Sequence, residues 1–269
     1  MRIVNEKNNQ IGIDENGFFE NEELTWNYPP FTSDILIDDI ELNRYLYSLY
    51  EKMDVRTKDV IGLFIAESFA KIHRDFQSIV ILSVRGLQSQ SKAILRTMLE
   101  KLLILVSVEK NPNNYNDWLR TQNYNRNKLI RAIKRGDIDV YDIDTSKLVE
   151  NPDAKNISTD TWAKRADMEW DYRVIYKLFN SYVHLSERSV SSDIVFENGE
   201  PVAIGIYPDY SETDNILVLG KRYILIAAKV LKKYFNIHDE MSFQDYQAFL
   251  DDAQRSIQIL DAKLEAKEE

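Results

Sequence analysis

From Thr57 to Glu109 apolar residues recur so densely that the chain predicts two long helices folded back on each other at Arg85-Gly86. In the first, Val60, Ile61, Leu63, Phe64, Ile65, Phe69, Ile72, Phe76, Ile79, Val80, Leu82 and Val84 lie nearly all round the helix, which marks it as central. A narrow polar stripe of Glu67, Arg74, Ser78 and Arg85 interrupts them. Gly86 can take the left-handed conformation that ends a helix, and Ser89 or Ser91 can cap the next one, so a short antiparallel turn is predicted. The second arm, Ala93 to Val108, is apolar except for Arg96, Thr97, Glu100, Lys101 and Ser107. Those charges argue against a membrane span of this length.

The flanking pattern extends the helical reading. An amphipathic helix starts at Ser33 or Asp34 with Ile37, Ile40, Leu42, Tyr45, Leu46, Leu49 and Tyr50 on its apolar side, and should pack on the central pair. Another helix follows Asn111-Pro112 and runs to about Arg135. A polar connection over 136–158 ends near Ser158 or Thr159, either of which can cap a short helix containing Trp162, with Glu169-Trp170 close to its end. The stretch Asp171 to Arg188 reads as a helix with Ile175, Leu178, Phe179 and Val183 on one face. Ser-Ser-Asp-Ile-Val-Phe-Glu-Asn-Gly-Glu, within 191–210, predicts a small β-hairpin with Asn198-Gly199 near its turn. Ile216 to Phe235 returns as an apolar helix, and a last amphipathic one begins near Ser242. The expected fold is therefore mainly all-α: a multi-helix bundle around a long central helical hairpin, with a small β-hairpin excursion. Residues 1–33 form an N-terminal arm or hairpin before a helical domain over 34–269.

Composition narrows the chemistry. Lys plus Arg number 34 against 44 acidic residues, a net charge of -10, so contact with nucleic acid or an anionic membrane has to be local. There is no cysteine, which excludes disulfides and thiolate metal sites and makes a reducing cytosol the expected location. No phosphate-binding glycine loop, dinucleotide fingerprint or nucleophile elbow occurs, and His73, His184 and His238 lack the close spacing of a zinc helix. Asp137, Asp139, Asp142 and Asp144 lack the glycine and glutamate of a calcium loop and read as a solvated linker. Neither a metal nor a cofactor is expected.

Three groups of residues carry candidate chemistry. Arg96 and Glu100 stand four apart on one face of a helix whose other faces look buried, which fits either a structural ion pair or a tuned acid or base beside an anion-binding arginine. Tyr176, Asn180 and His184 recur every four residues, so three hydrogen-bonding side chains share a helix face that can meet Arg96 and Glu100. Arg120, Tyr124, Lys128, Arg131 and Arg135 form a basic stripe with an aromatic inside it, opposite Trp118, Leu129 and Ile133. The stripe fits a phosphate backbone or an acidic partner, or a solvated face neutralised by local acids.

The segment Ala-Ile-Leu-Arg-Thr-Met-Leu-Glu over 93–100, Trp162, and the line Tyr176, Asn180, His184 together resemble an uncharacterised bacterial helical family, domain of unknown function 5677, over roughly residues 60–235. Its members carry a leucine-rich Arg-x-x-x-Glu helix and, further on, a Tyr-x-x-x-Ser-x-x-x-His helix. Arg96, Glu100, Tyr176 and His184 match, whereas Asn180 stands where the family has serine. The resemblance implies a helical fold and, through relatives, a prokaryotic defence or mobile-element setting; for a binding module the matching expectation is a component of a defence or stress-response system.

Two functions are consistent with these residues. One is a non-catalytic helical module that binds a partner protein, a second copy of itself or a small ligand through Arg96, Tyr176, Asn180 and His184. The other is a metal-independent ribonuclease-like toxin or effector of the helical nucleotide-binding kind, with His184 as base, Arg96 and Glu100 beside it, and the 120–135 stripe as an RNA track. The usual Arg-then-His spacing of such ribonucleases is broken before His184, so the binding module is the leading expectation.

Overall fold

The computed structural model describes residues 33–138, 144–183, 194–197, 200–204 and 212–238, and among them the chain is mainly helical. The helices are α1 (Ser33–Lys52), α2 (Val60–Val84), α3 (Gln88–Lys110), α4 (Asn114–Arg135), α5 (Thr159–Ala166), α6 (Glu169–Asp171), α7 (Lys177–Val183) and α8 (Thr213–Phe235). Two strands, β1 (Ile194–Glu197) and β2 (Glu200–Ile204), pair antiparallel, with Ile194 opposite Ile204. The arm expected before Ser33, the helix expected from Ser242, and His184 lie outside the described residues. Among the described residues no helix is long and apolar enough to cross a membrane.

The turn between α2 and α3 follows from one glycine. Gly86 has φ 68°, and the N–H groups of Gly86 and Leu87 return to the carbonyls of Ser83 and Leu82 at 3.0 and 2.9 Å. This paired closure satisfies the last carbonyls of α2 and reverses the chain within three residues. Leu87 therefore already stands at the cap position of α3, and the serine cap expected at Ser89 or Ser91 does not form. Ser91 instead donates to the Leu87 carbonyl at 3.1 Å and accepts from Ser83 at 3.2 Å, tying the two helix ends together.

At its other end α2 is capped by Asp59, whose carboxylate accepts from the Gly62 N–H at 2.9 Å and from the Tyr234 hydroxyl of α8 at 2.8 Å. Gly62 is needed there because a Cβ would lie 2.4 Å from Asp59 Oδ2 and 3.1 Å from the Tyr234 ring. Gly62→Ala should displace the capping carboxylate and cost about 1–2 kcal/mol of stability, the usual worth of an N-cap. Urea denaturation checks this, and an unchanged midpoint would show that Asp59 caps nothing of consequence.

α3 packs against α2 and α8 on one side and against α5 and α7 on the other. Its Leu95, Leu99, Leu102 and Leu105 are wholly buried, as are Ile65, Phe69, Phe76 and Ile79 of α2 and Leu217, Ile224 and Leu231 of α8. Each such side chain contributes roughly 1.5–3 kcal/mol when removed from water, so the core centres on these three helices. The chain thus places α3 where its few polar residues can meet α5 and the segment leading into α7.

α1 is joined to this core by polar bonds as well as leucines. Buried Asn43 accepts from His73 Nε2 at 2.7 Å and from Gln77 Nε2 at 3.1 Å, and the Tyr50 hydroxyl donates to His73 Nδ1 at 3.1 Å. With the ring neutral and its proton on Nε2, the form that burial favours, both imidazole nitrogens are satisfied. Asp39 of α1 pairs with Lys221 of α8 at 3.4 Å, both buried.

Candidate functional site

Arg96 and Glu100 lie one turn apart on the side of α3 that faces α5 and α7, and both are half-buried. The Arg96 guanidinium donates from Nη2 to the Tyr176 hydroxyl at 2.6 Å and reaches Glu100 Oε1 at 3.1 Å. The Tyr176 hydroxyl in turn donates to Glu100 Oε1 at 2.6 Å. The three groups close a hydrogen-bonded triangle across 80 residues of sequence, with the Arg96 guanidinium carbon also 4.6 Å from the centre of the Tyr176 ring. Burial, then the Glu100 bond and charge, push the Tyr176 phenol above its ordinary pKa, against an opposing Thr159 hydrogen bond and the Arg96 charge. The phenol is therefore protonated at neutral pH and acts as a donor to the carboxylate. Arg96 Nε is buried with no acceptor.

Tyr176 is delivered to this place by an irregular segment. Between α6 and α7, Tyr172–Tyr176 forms a π-helical turn, which accommodates an extra residue and re-aims the side chains that follow. Tyr172 stacks on Tyr176 with ring centres 5.2 Å apart. Just before the turn, buried Asp171 is gripped from α8: Arg222 Nη1 donates to its Oδ1, Arg222 Nη2 to its Oδ2 at 3.2 Å, and the Tyr223 hydroxyl to its Oδ1 at 3.0 Å. Burial disfavours the Arg222 charge, but the Asp171 bonds and charge outweigh it and hold the guanidinium above its ordinary pKa. Burial and the Asp171 charge push the Tyr223 phenol well up.

The sequence pattern of Tyr176, Asn180 and His184 assumed an unbroken α-helix. The π-helical turn departs from that regularity over Tyr172–Tyr176, and regular α-helix resumes from Lys177. Asn180 follows on α7, half-buried. The Asp171–Arg222–Tyr223 group is not among the candidate sites of the sequence, and Lys221-Arg222 set into the otherwise apolar run Ile216–Ala228 is the signal that points to it.

Three of the six basic residues of α4 are paired with nearby acids. Arg120 pairs with Asp117 at 3.2 Å, Arg131 with Glu150 at 2.7 Å and Arg135 with Asp137 at 2.9 Å, while Lys128 lies 5.7 Å from the Tyr124 ring centre. Burial alone would raise Asp117, but bonds from Arg165 and Arg120 hold its carboxyl below the ordinary value. The apolar side also differs from the one expected. Leu129 is 51% exposed and Ile130 is buried instead, because Asn127 is locked to the backbone of Asn151 by bonds of 2.8 and 2.9 Å and turns that neighbouring face inward. Among the described residues no three His, Asp or Glu side chains gather as a metal site would require.

A family model described as a family of unknown function, DUF5677, matches residues 63–201, a span that contains Arg96, Glu100 and Tyr176. No curated protein and no solved structure matches the chain.

Proposed function

The chain belongs to DUF5677, a family of unknown function, and on that premise we propose that it is a non-catalytic binding module whose ligand is a small hydroxyl-bearing molecule held by Arg96 and Glu100. One observation carries this reading: the Tyr176 hydroxyl accepts from Arg96 and donates to Glu100, both at 2.6 Å. It makes the two bonds that a ligand hydroxyl would make. A carboxylate beside a guanidinium suits a vicinal diol such as that of ribose, since adjacent hydroxyls supply a donor for Glu100 and an acceptor for Arg96. Ion pairs occupy Arg120, Arg131 and Arg135, three of the four basic residues of the stripe that a phosphate backbone would follow.

Two measurements test the reading. Total RNA incubated with the protein and a metal chelator should stay intact, while a nucleoside such as adenosine should raise the thermal midpoint of the wild type. Glu100→Gln should weaken nucleoside binding about tenfold or more, the worth of a hydrogen bond to a charged group. RNA cleavage by the wild type that is lost in Glu100→Gln would overturn the non-catalytic reading in favour of a ribonuclease. Nucleoside binding unchanged in Glu100→Gln would remove the site from consideration.

A further inference from the structure

We infer that the meeting point of the α3 and α8 N-termini is a second binding site, for a phosphate-type oxyanion, separate from the Arg96–Glu100–Tyr176 group. Both helices run for 23 residues and both start without a side-chain cap. Their first-turn N–H groups therefore carry partial positive charge and no partner from their own helix. A solvated helix end would satisfy such groups with water, but the side chains here are buried. Gln88, the first residue of α3, is 3% exposed, and Thr213, the first of α8, is 1% exposed. Neither polar atom of the Gln88 amide has a hydrogen-bond partner, nor does the Thr213 hydroxyl. Leaving such groups unsatisfied is costly, which makes their occurrence at two adjoining helix starts informative.

Lys92 ties the two starts together. It lies one turn after Gln88 on the same face of α3, is itself 4% exposed, and its Nζ meets Glu212 Oε2 at 2.6 Å. Helical side chains lean toward the N-terminus, so the ammonium extends over the first turn of α3. Its partner Glu212 immediately precedes Thr213, which brings the start of α8 beside the start of α3. The Glu212 side chain is 48% exposed, and its carboxylate stands where a buried ammonium and two helix starts converge. It acts as an internal stand-in for an anion. A phosphate oxyanion has enough acceptor oxygens to engage Lys92, the Gln88 amide N–H and the Thr213 hydroxyl at once, which a single carboxylate does not. Asp214 is the other carboxylate in these first turns and is exposed.

The test is titration calorimetry on the full chain with inorganic phosphate and, separately, methyl phosphate. Saturable binding of either is expected, and the tighter probe tells whether the site takes the free ion or a phosphate ester. Lys92→Met should weaken that binding about tenfold or more. Because Lys92 is buried, circular dichroism first establishes that the variant is folded, and Glu212→Gln provides an independent arm at a half-exposed position. Glu212→Gln should tighten phosphate binding by removing the competing carboxylate. The inference is overturned if neither probe binds the wild type or Glu212→Gln, or if binding occurs that Glu212→Gln fails to tighten.

Discussion

Asp171→Ala is expected to lower the free energy of unfolding by about 3–5 kcal/mol, the usual cost of breaking a buried ion pair from one side. The substitution removes the acceptor of two Arg222 bonds and of the Tyr223 hydroxyl, and Tyr223 is wholly buried. What remains is a wholly buried phenol and a largely buried guanidinium without their acceptor, and that penalty is larger than the worth of the bonds themselves. Removing Arg222 as well should recover part of the loss. The double variant Asp171→Ala with Arg222→Met is therefore expected to be more stable than the sum of the single effects. Urea denaturation of the four chains measures the coupling. A single-variant loss under about 1 kcal/mol would mean that the pair behaves like an exposed salt bridge, which its burial forbids.

A loss of comparable size is expected from acid. Burial holds the His73 imidazole down at about 3, well below the ordinary 6.5. Between those values the unfolded chain takes up a proton that the native chain refuses, so stability is complete above pH 6.5 and falls as the pH drops toward 3. The slope from this one group approaches roughly 1.4 kcal/mol per pH unit, on the order of 4 kcal/mol across the interval. The physical cause is burial: the ring is 3% exposed, packed against Tyr50 and Phe69, and a charged imidazolium there loses its hydration. Denaturation midpoints measured from pH 7 to pH 4 in the wild type and in His73→Leu separate this contribution from that of the carboxylates. The wild type should lose stability more steeply than the variant. Parallel curves would show that His73 titrates normally.

The helices were legible where one pattern decided them. Apolar residues all round α2, with Gly86 behind it, predict both the helix and the turn, and Gly86 takes the left-handed conformation that this requires. The helix cap was less legible, because whether a serine caps α3 depends on where the Gly86 turn leaves the chain, and that turn puts Leu87 there. Leu129 was misplaced on α4 because apolar spacing alone does not register a side chain such as Asn127 that bonds to a distant backbone.

The site was legible in part for the same reason. Arg96, Glu100 and Tyr176 stand out because charged or polar groups on apolar helices need partners, and they find each other. The π-helical turn that aims Tyr176, and the Asp171–Arg222–Tyr223 grip that precedes it, depend on contacts between segments 51 residues apart. No periodicity within either segment reports such a contact. Thr159, whose hydroxyl acts on the same phenol, reads from sequence only as a helix start.

The account turns on the Tyr176 hydroxyl standing where a ligand hydroxyl would, and adenosine affinity in Tyr176→Phe against the wild type tests this most directly. Removing the internal hydroxyl takes one partner each from Glu100 Oε1 and Arg96 Nη2, which still face each other at 3.1 Å, while leaving the ring in place. The account predicts tighter binding in Tyr176→Phe, opposite in sign to the loss expected in Glu100→Gln. Equal or weaker binding in Tyr176→Phe would contradict it.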